Sequence, residues 1–400
     1  MDRFFGIWGI VLVFGLAFLL SNNRKAVNYK TVGIGFFLQV LLAVCIFRVP
    51  PVRFVVMATG RFIQKILEFA MQGAHVVFGQ TPYVFALSLI ASLIFMMVLV
   101  NILYYYGIMQ RVVSVLGKAM NRLMAVSGAE ALSNAASAFA GQVAAQIMIR
   151  PYLAKLTRSE LLASMAGSMA CVSGATMPIY IAMGVPAQYI LASLVMAVPG
   201  AFVISKIVYP ETNTPETSSD FTITYSKRKR PYTNLFDAIS SGASEGIKVA
   251  VNVIAMIIAL VALVALIDWI LGSIGALAGF GELSLTWALG KIFAVFAYFM
   301  GVPLNETASV GSLMGTKLVL NEMVAYMNLT SQTLSAKSFL IACFALCNFA
   351  NFGSVAILLG GVGELAPNQR KNLARLGLRA LICGTLTGYM SAAIAGILFK

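Results

Sequence analysis

A carboxylate set in apolar sequence is the sharpest chemical signal in this chain. Glu306 closes the run Gly301-Val-Pro-Leu-Asn-Glu, with apolar stretches on both sides. A carboxylate removed from water must be paired, protonated or engaged by a ligand. Two readings follow: a salt bridge to Lys317 or Lys291, or a group that accepts hydroxyl donors or carries a proton. Asn348, Asn351 and Ser354 fall at i, i+3 and i+6, roughly on one helix face. Two amides and a hydroxyl suit a polyhydroxylated ligand; the same groups also serve to tie one membrane helix to another. Gln142 adds a further donor and acceptor. Gly311 and Gly315, four apart, read as close-packing positions. The five cysteines, Cys45, Cys171, Cys343, Cys347 and Cys383, sit in apolar segments with no partners that complete a tetrahedral metal site. His75, the only histidine, reads as interfacial. No nucleophile is matched with a base, so the pattern is not that of an enzyme, and it implies no cofactor or metal.

The elements that position these groups are membrane helices. Hydrophobic residues make up 60% of the 400, charged residues 10%, too little polar surface to cover a water-soluble globule. Apolar segments able to cross the bilayer are expected at 4–21, 31–49, 83–109, 159–183, 187–208, 246–272, 336–362 and 376–398. The first reads as a retained span, not a signal peptide. Residues 52–78 interleave apolar side chains with Arg53, Arg61, Lys65 and Glu68, the pattern of an amphipathic helix in the interface. Segments 125–156 and 284–326 are interrupted at Ala140-Gly141-Gln142 and at 301–306, and read as re-entrant hairpins. A shift of 177 residues lays Cys171-Val172-Ser173-Gly174 on Asn348-Phe349-Ala350-Asn351, so each half has a hairpin, a broken helix and a final span. The net charge of +14 comes from basic residues gathered in alternate loops. They place the linker 210–232 in the cytoplasm, mobile, and both termini outside; nucleic acid is not implied. The expected fold is thus an all-α polytopic membrane protein. It has about eight transmembrane helices, two re-entrant hairpins in an inverted repeat and an interfacial helix, with its site near the midplane. The expected organisation is 1–110 scaffold, 111–208 first transport repeat, 209–275 linker and connecting span, and 276–400 second transport repeat.

These stretches resemble the concentrative nucleoside transporters in their short bacterial form. The resemblance rests on Gly301 to Thr307, on Lys317-Leu-Val-Leu-Asn-Glu-Met-Val-Ala-Tyr326, on Phe344 to Ile357, and on Gly141-Gln142 and Arg150 to Lys155. It implies ion-coupled nucleoside import into a bacterial cell across its inner membrane by a homotrimer, with one site per subunit. Glu306, Asn351 and Ser354 match the family's ribose-binding residues and Phe349 an aromatic contact; Asn348 and Thr176 complete the expected substrate set. The family's first hairpin reads Gly-Gln, then Thr, Ser or Asn, then Glu; here Gln142 is followed by Val143 and Ala144, which leaves purine against pyrimidine preference open. The expected ion-coupling set is Ser137, Ala140, Cys171, Val172 and Glu306. Ser137 stands where the family has Asn, and Cys171 where it has Ser, which weakens a hard-oxygen cage for Na⁺ and favours H⁺ as the coupling ion, with Na⁺ held by backbone carbonyls as the alternative. Competing readings keep the fold but change the cargo to a modified nucleoside or other small substrate, or relate the chain to nucleoside-recognition-domain proteins.

Overall fold

In the computed structural model, which describes residues 5–79, 85–174, 176–217, 232–277, 279 and 283–399, all regular structure is helical. An N-terminal group comprises α1 (Phe5–Leu19), α2 (Tyr29–Arg48), α3 (Pro50–Phe78) and α4 (Phe85–Tyr105). Pro50 and Pro51 end α2 and start α3, because proline lacks the N–H that would continue a helix but fits its first turn. Along α3, Gly60, Ile63, Leu67, Ala70 and Ala74 form a buried stripe while Arg53, Arg61 and Lys65 are exposed, the amphipathic pattern expected of it.

A first series then runs α5 (Ile108–Met124), α6 (Gly128–Ala140), α7 (Gln142–Met148), the single turn α8 (Arg150–Leu153), α9 (Arg158–Ala170), α10 (Met177–Ala182) and α11 (Ala187–Val208). The long α12 (Leu235–Leu277) packs along α4, where Gly242 and Gly246 let it approach the backbone of Val98 and Ile94. A second series follows: α13 (Leu285–Phe299), α14 (Leu304–Val319), α15 (Glu322–Thr330), α16 (Ala336–Leu346), α17 (Phe352–Leu365) and α18 (Arg370–Leu398). The packing repeats between the series: α5 lies on α6 as α13 lies on α14, α6 on α9 as α14 on α16, and α11 and α18 each pack against both α9 and α16. Among the described residues five helices, α2, α4, α11, α12 and α18, are long and apolar enough to cross a membrane.

Sequence and structure part at two places. The interruption at 301–306 is the turn between antiparallel α13 and α14, with Gly301 at φ +97°; the break inside the second hairpin is Leu320-Asn321. The helix α5 was not expected, although its buried Met109, Val113, Gly117, Met120 and Met124 and exposed Arg111, Lys118 and Arg122 are plainly amphipathic. Gly311 and Gly315 do close-pack: a Cβ at either would lie 2.5 Å from α13. Most of the linker 210–232 lies outside the described residues.

Candidate functional site

Four interruptions converge: the hairpin breaks at Gly141 and at 320–321, and the helix breaks after Ala170 and at 347–351. Each is built by a local signal. Gly141 adopts φ +86°, a conformation that glycine tolerates best, and turns α6 into α7. Asn321 caps α15 by accepting from the Val324 amide at 3.0 Å, and Asn351 caps α17 by accepting from the Ser354 amide at 2.8 Å.

From these caps a buried path of side chains runs through the molecule. Gln142 Nε2 donates to Ser354 Oγ at 2.9 Å. Asn351 Nδ2 donates to Glu322 Oε2 at 3.2 Å, and Tyr180 donates its hydroxyl to Glu322 Oε1 at 2.9 Å. Gln142, Asn351, Ser354, Glu322 and Tyr180 are all buried. The positive ends of α15 and α17 both lie at this path, a setting that favours a carboxylate. Tyr180 stacks obliquely on Tyr326, with ring centroids 5.0 Å apart. Two polar atoms at the path find no hydrogen-bond partner among the described residues: Gln142 Oε1, and Nζ of the buried Lys317, which feels the charge of Glu322. An acceptor, a donor and a held carboxylate in one place can receive a ligand rich in hydroxyls and N–H groups.

The expected residues divide. Gln142, Asn351 and Ser354 belong to the path, and half-buried Phe349 lies in the break beside them. Thr176 opens α10 one turn before Tyr180 and donates to the Ser173 carbonyl. Asn348 turns away: its amide donates to the Ala345 carbonyl and lies against Gly388, where a Cβ would come within 2.3 Å. Glu306 stands apart altogether. It lies in the first turn of α14, whose far end, about 20 Å along a helix of that length, leads to the site. Its carboxylate accepts from the Ser335 amide at 2.9 Å and the Ser335 hydroxyl at 2.7 Å, and pairs with neither Lys317 nor Lys291. Glu322 occupies the position that the sequence reading gave to Glu306. The signal for it was Asn321-Glu322 before Met-Val-Ala-Tyr, a helix-capping pattern; Tyr180, 142 residues from Glu322, carried none.

Whereas Glu306 lies away at the start of α14, the other four of the five expected ion-coupling residues, Ser137, Ala140, Cys171 and Val172, meet where α6 ends against the break after α9. There the Gly174 amide donates to the Ala138 carbonyl at 3.1 Å, beside Ala140 and the buried Val172. Ser137 Oγ donates to the Ser133 carbonyl at 2.8 Å and lies 2.9 Å from Ser168 Oγ, while the Cys171 thiol donates to the Gly167 carbonyl. Next to them Gln146 donates to Ser133 and Ser168 and accepts from Ser164, a buried polar ladder that binds α7 to α6 and α9.

Paired interrupted helices around a buried polar path define a membrane transporter rather than an enzyme. Comparison with known proteins makes the class specific. Residues 189–396 match the family model "Na+ dependent nucleoside transporter C-terminus", 8–81 its N-terminal counterpart, and 86–187 a model described as "Nucleoside recognition". The chain is similar to an uncharacterised transporter of Haemophilus influenzae, 39% identical over 98% of this chain and 96% of that one. It is 35% identical to the nucleoside permease NupC of Helicobacter pylori, over 98% and 97%. Its structure is similar to that of CNTnw in an inward-facing substrate-bound state, with a TM-score of 0.92, 36% identity, and 100% and 98% of the two chains covered. The chain belongs to the concentrative nucleoside transporter family.

Proposed function

We propose that this protein imports nucleosides by ion-coupled symport, with the buried path from Gln142 to Tyr180 as its substrate site. The observation that carries this reading is that one hydrogen-bonded set joins both hairpins and both broken helices, so a ligand bound there is sensed by every interrupted element. Glu322 accepts ribose hydroxyls, Asn351 and Ser354 orient them, Phe349 lies against the nucleoside, and the free carbonyl of Gln142 reads an N–H of the base. Thr176 holds the break that presents Tyr180. The eight spans, the inverted orientation of the two re-entrant series, external termini and a homotrimeric assembly complete this reading; the exposed apolar face of α12, with Ile258, Val261 and Leu266, suits lipid or a neighbouring copy.

The coupling ion in this reading is H⁺. Both side chains expected at the ion cage are committed to helix carbonyls, Ser137 to Ser133 and Cys171 to Gly167, and a thiol is a poor ligand for a hard cation. A modified nucleoside is the second reading. Val143, which follows Gln142, packs its methyl groups against Gly361, and Ala144 has no polar group to read a base. The test is counterflow of radiolabelled uridine, adenosine and inosine in proteoliposomes, with pH and Na⁺ gradients imposed separately. Ribosides should exchange, free bases should not compete, and uptake should follow the pH gradient and collapse with a protonophore. Equal competition by free bases would overturn the substrate site, and uptake driven by Na⁺ at fixed pH would overturn the choice of ion.

A further inference from the structure

The corner between α2 and α3 holds a second site, remote from the substrate path. Arg48 is the last residue of α2, Val49 is extended, and Pro50-Pro51 start α3, so the chain folds back sharply and brings Arg48 and Arg53 to one cavity of about 200 Å³. The other walls come from the two series: Tyr189 of α11, Leu340 of α16, and Leu398 and Phe399 at the end of α18. Arg48 Nη2 donates to the Leu398 carbonyl at 3.1 Å, which fixes that guanidinium at the rim. Among the described residues Arg53 makes no hydrogen bond or ion pair, and none of those that line the cavity carries a side-chain carboxylate.

We propose that this cavity binds the headgroup of an anionic phospholipid, with Arg48 and Arg53 on the phosphate and Phe47, Leu340 and Phe399 along the glycerol and upper acyl chain. Two guanidiniums without a carboxylate call for an anion, and arginine matches phosphate oxygens in a bidentate manner. The apolar walls call for a ligand that is apolar just beyond its charge. Depth agrees: α2 is a helix of spanning length that ends at Arg48, and α3 exposes Phe54, Val55, Phe62 and Phe69 beside its basic residues, as a helix in the headgroup layer does. The bound lipid bridges the N-terminal helices and the two repeated series, so its occupancy sets how firmly these parts hold together.

The test uses the full-length protein, delipidated in neutral detergent and offered phosphatidylglycerol or phosphatidylcholine, with bound lipid read by native mass spectrometry and by thermal stability. Wild type should retain phosphatidylglycerol preferentially, and Arg53→Gln should weaken that retention about fivefold, the worth of one basic residue at a charged lipid surface. Arg61→Gln, an exposed arginine on the same helix outside the cavity, should leave retention unchanged. Equal loss in Arg61→Gln would mean diffuse attraction and overturn the site, as would equal retention by wild type and Arg53→Gln. A thermal shift with inorganic phosphate as large as with phosphatidylglycerol would overturn the lipid assignment in favour of a soluble anion. Arg53→Gln removes no hydrogen bond to a described residue, so loss of fold does not confuse the result.

Discussion

The two repeated series share a plan, yet their equivalent acids do opposite work. Glu130 is the third residue of α6 and Glu306 the third residue of α14, each in the first turn of a hairpin. Glu130 is buried, joins a capping box with Ser127, and pairs with Lys206 at 2.7 Å, while Lys206 also donates to Ser159. Glu306 is only half-buried and is met by the serines that start α16, Ser335 through its amide and hydroxyl with Ser338 beside it. Around Glu130 the first series satisfies its polar groups within itself, through this pair and, further along α6, the Gln146 ladder. In the second, Glu322 binds Asn351 and also accepts from Tyr180 of the first series, Ser354 accepts from Gln142 of the first series, and Lys317 has no hydrogen bond among the described residues. The difference teaches that repetition fixes where a carboxylate stands in a helix, while burial and partners decide whether it anchors the fold, receives a ligand or merely caps.

The largest effect should come from breaking the anchor. Lys206→Met leaves Glu130 buried without its cation, and a buried charge stripped of its partner costs about 3–5 kcal/mol. Thermal denaturation in detergent should show a large drop in midpoint; a midpoint unchanged from wild type would mean that the first series is no more firmly tied than the second. Next comes the ligand group. Glu322→Gln keeps shape but gives up a charged acceptor, worth about 1.5–3 kcal/mol, so uptake should fall roughly 10- to 150-fold with assembly intact. Uptake near the wild-type rate would remove Glu322 from the proposed site.

The same contrast explains what the sequence could and could not disclose. The first hairpin break was legible because Gly141 interrupts an apolar run at the one residue that tolerates its backbone angle. The helix break near Asn351 was legible because two amides and a glycine crowd an apolar segment. The second hairpin was misplaced because Gly301-Val302-Pro303 is the louder breaker, whereas the true break at Leu320-Asn321 is marked only by an asparagine cap. With the break, the acid proposed to meet the ligand moves from Glu306 to Glu322. The polar ladder was hidden for another reason: Ser133 and Ser137 on α6, and Ser164 and Ser168 on α9, each four apart, look like ordinary small residues until Gln146 is seen to connect them. Tyr180 is one tyrosine among 14, and only the tertiary fold brings it to Glu322.

The smallest effect, and the one that sharpens the comparison most, concerns Glu306. A reading by motif makes Glu306 the ribose acceptor and expects its loss to abolish transport; the structure puts it at the end of α14 away from the Gln142 to Tyr180 path. There its carboxylate does two local things. It bonds the Ser335 amide and hydroxyl, which ties the start of α14 to the cap of α16, and it places a negative charge in the first turn of α14, where a helix favours one. A charge in such a position contributes about 0.3–1 kcal/mol, and at a half-exposed site solvent screening keeps it at the lower end. Glu306→Gln preserves an oxygen able to accept from Ser335 and loses only the charge. Uptake by this variant should stay within about threefold of wild type, with a small fall in thermal midpoint and an unchanged preference for ribosides over free bases. A loss as deep as that of Glu322→Gln, measured side by side in the same proteoliposomes, would return Glu306 to the substrate path and show that α14 turns end for end in function relative to its place here.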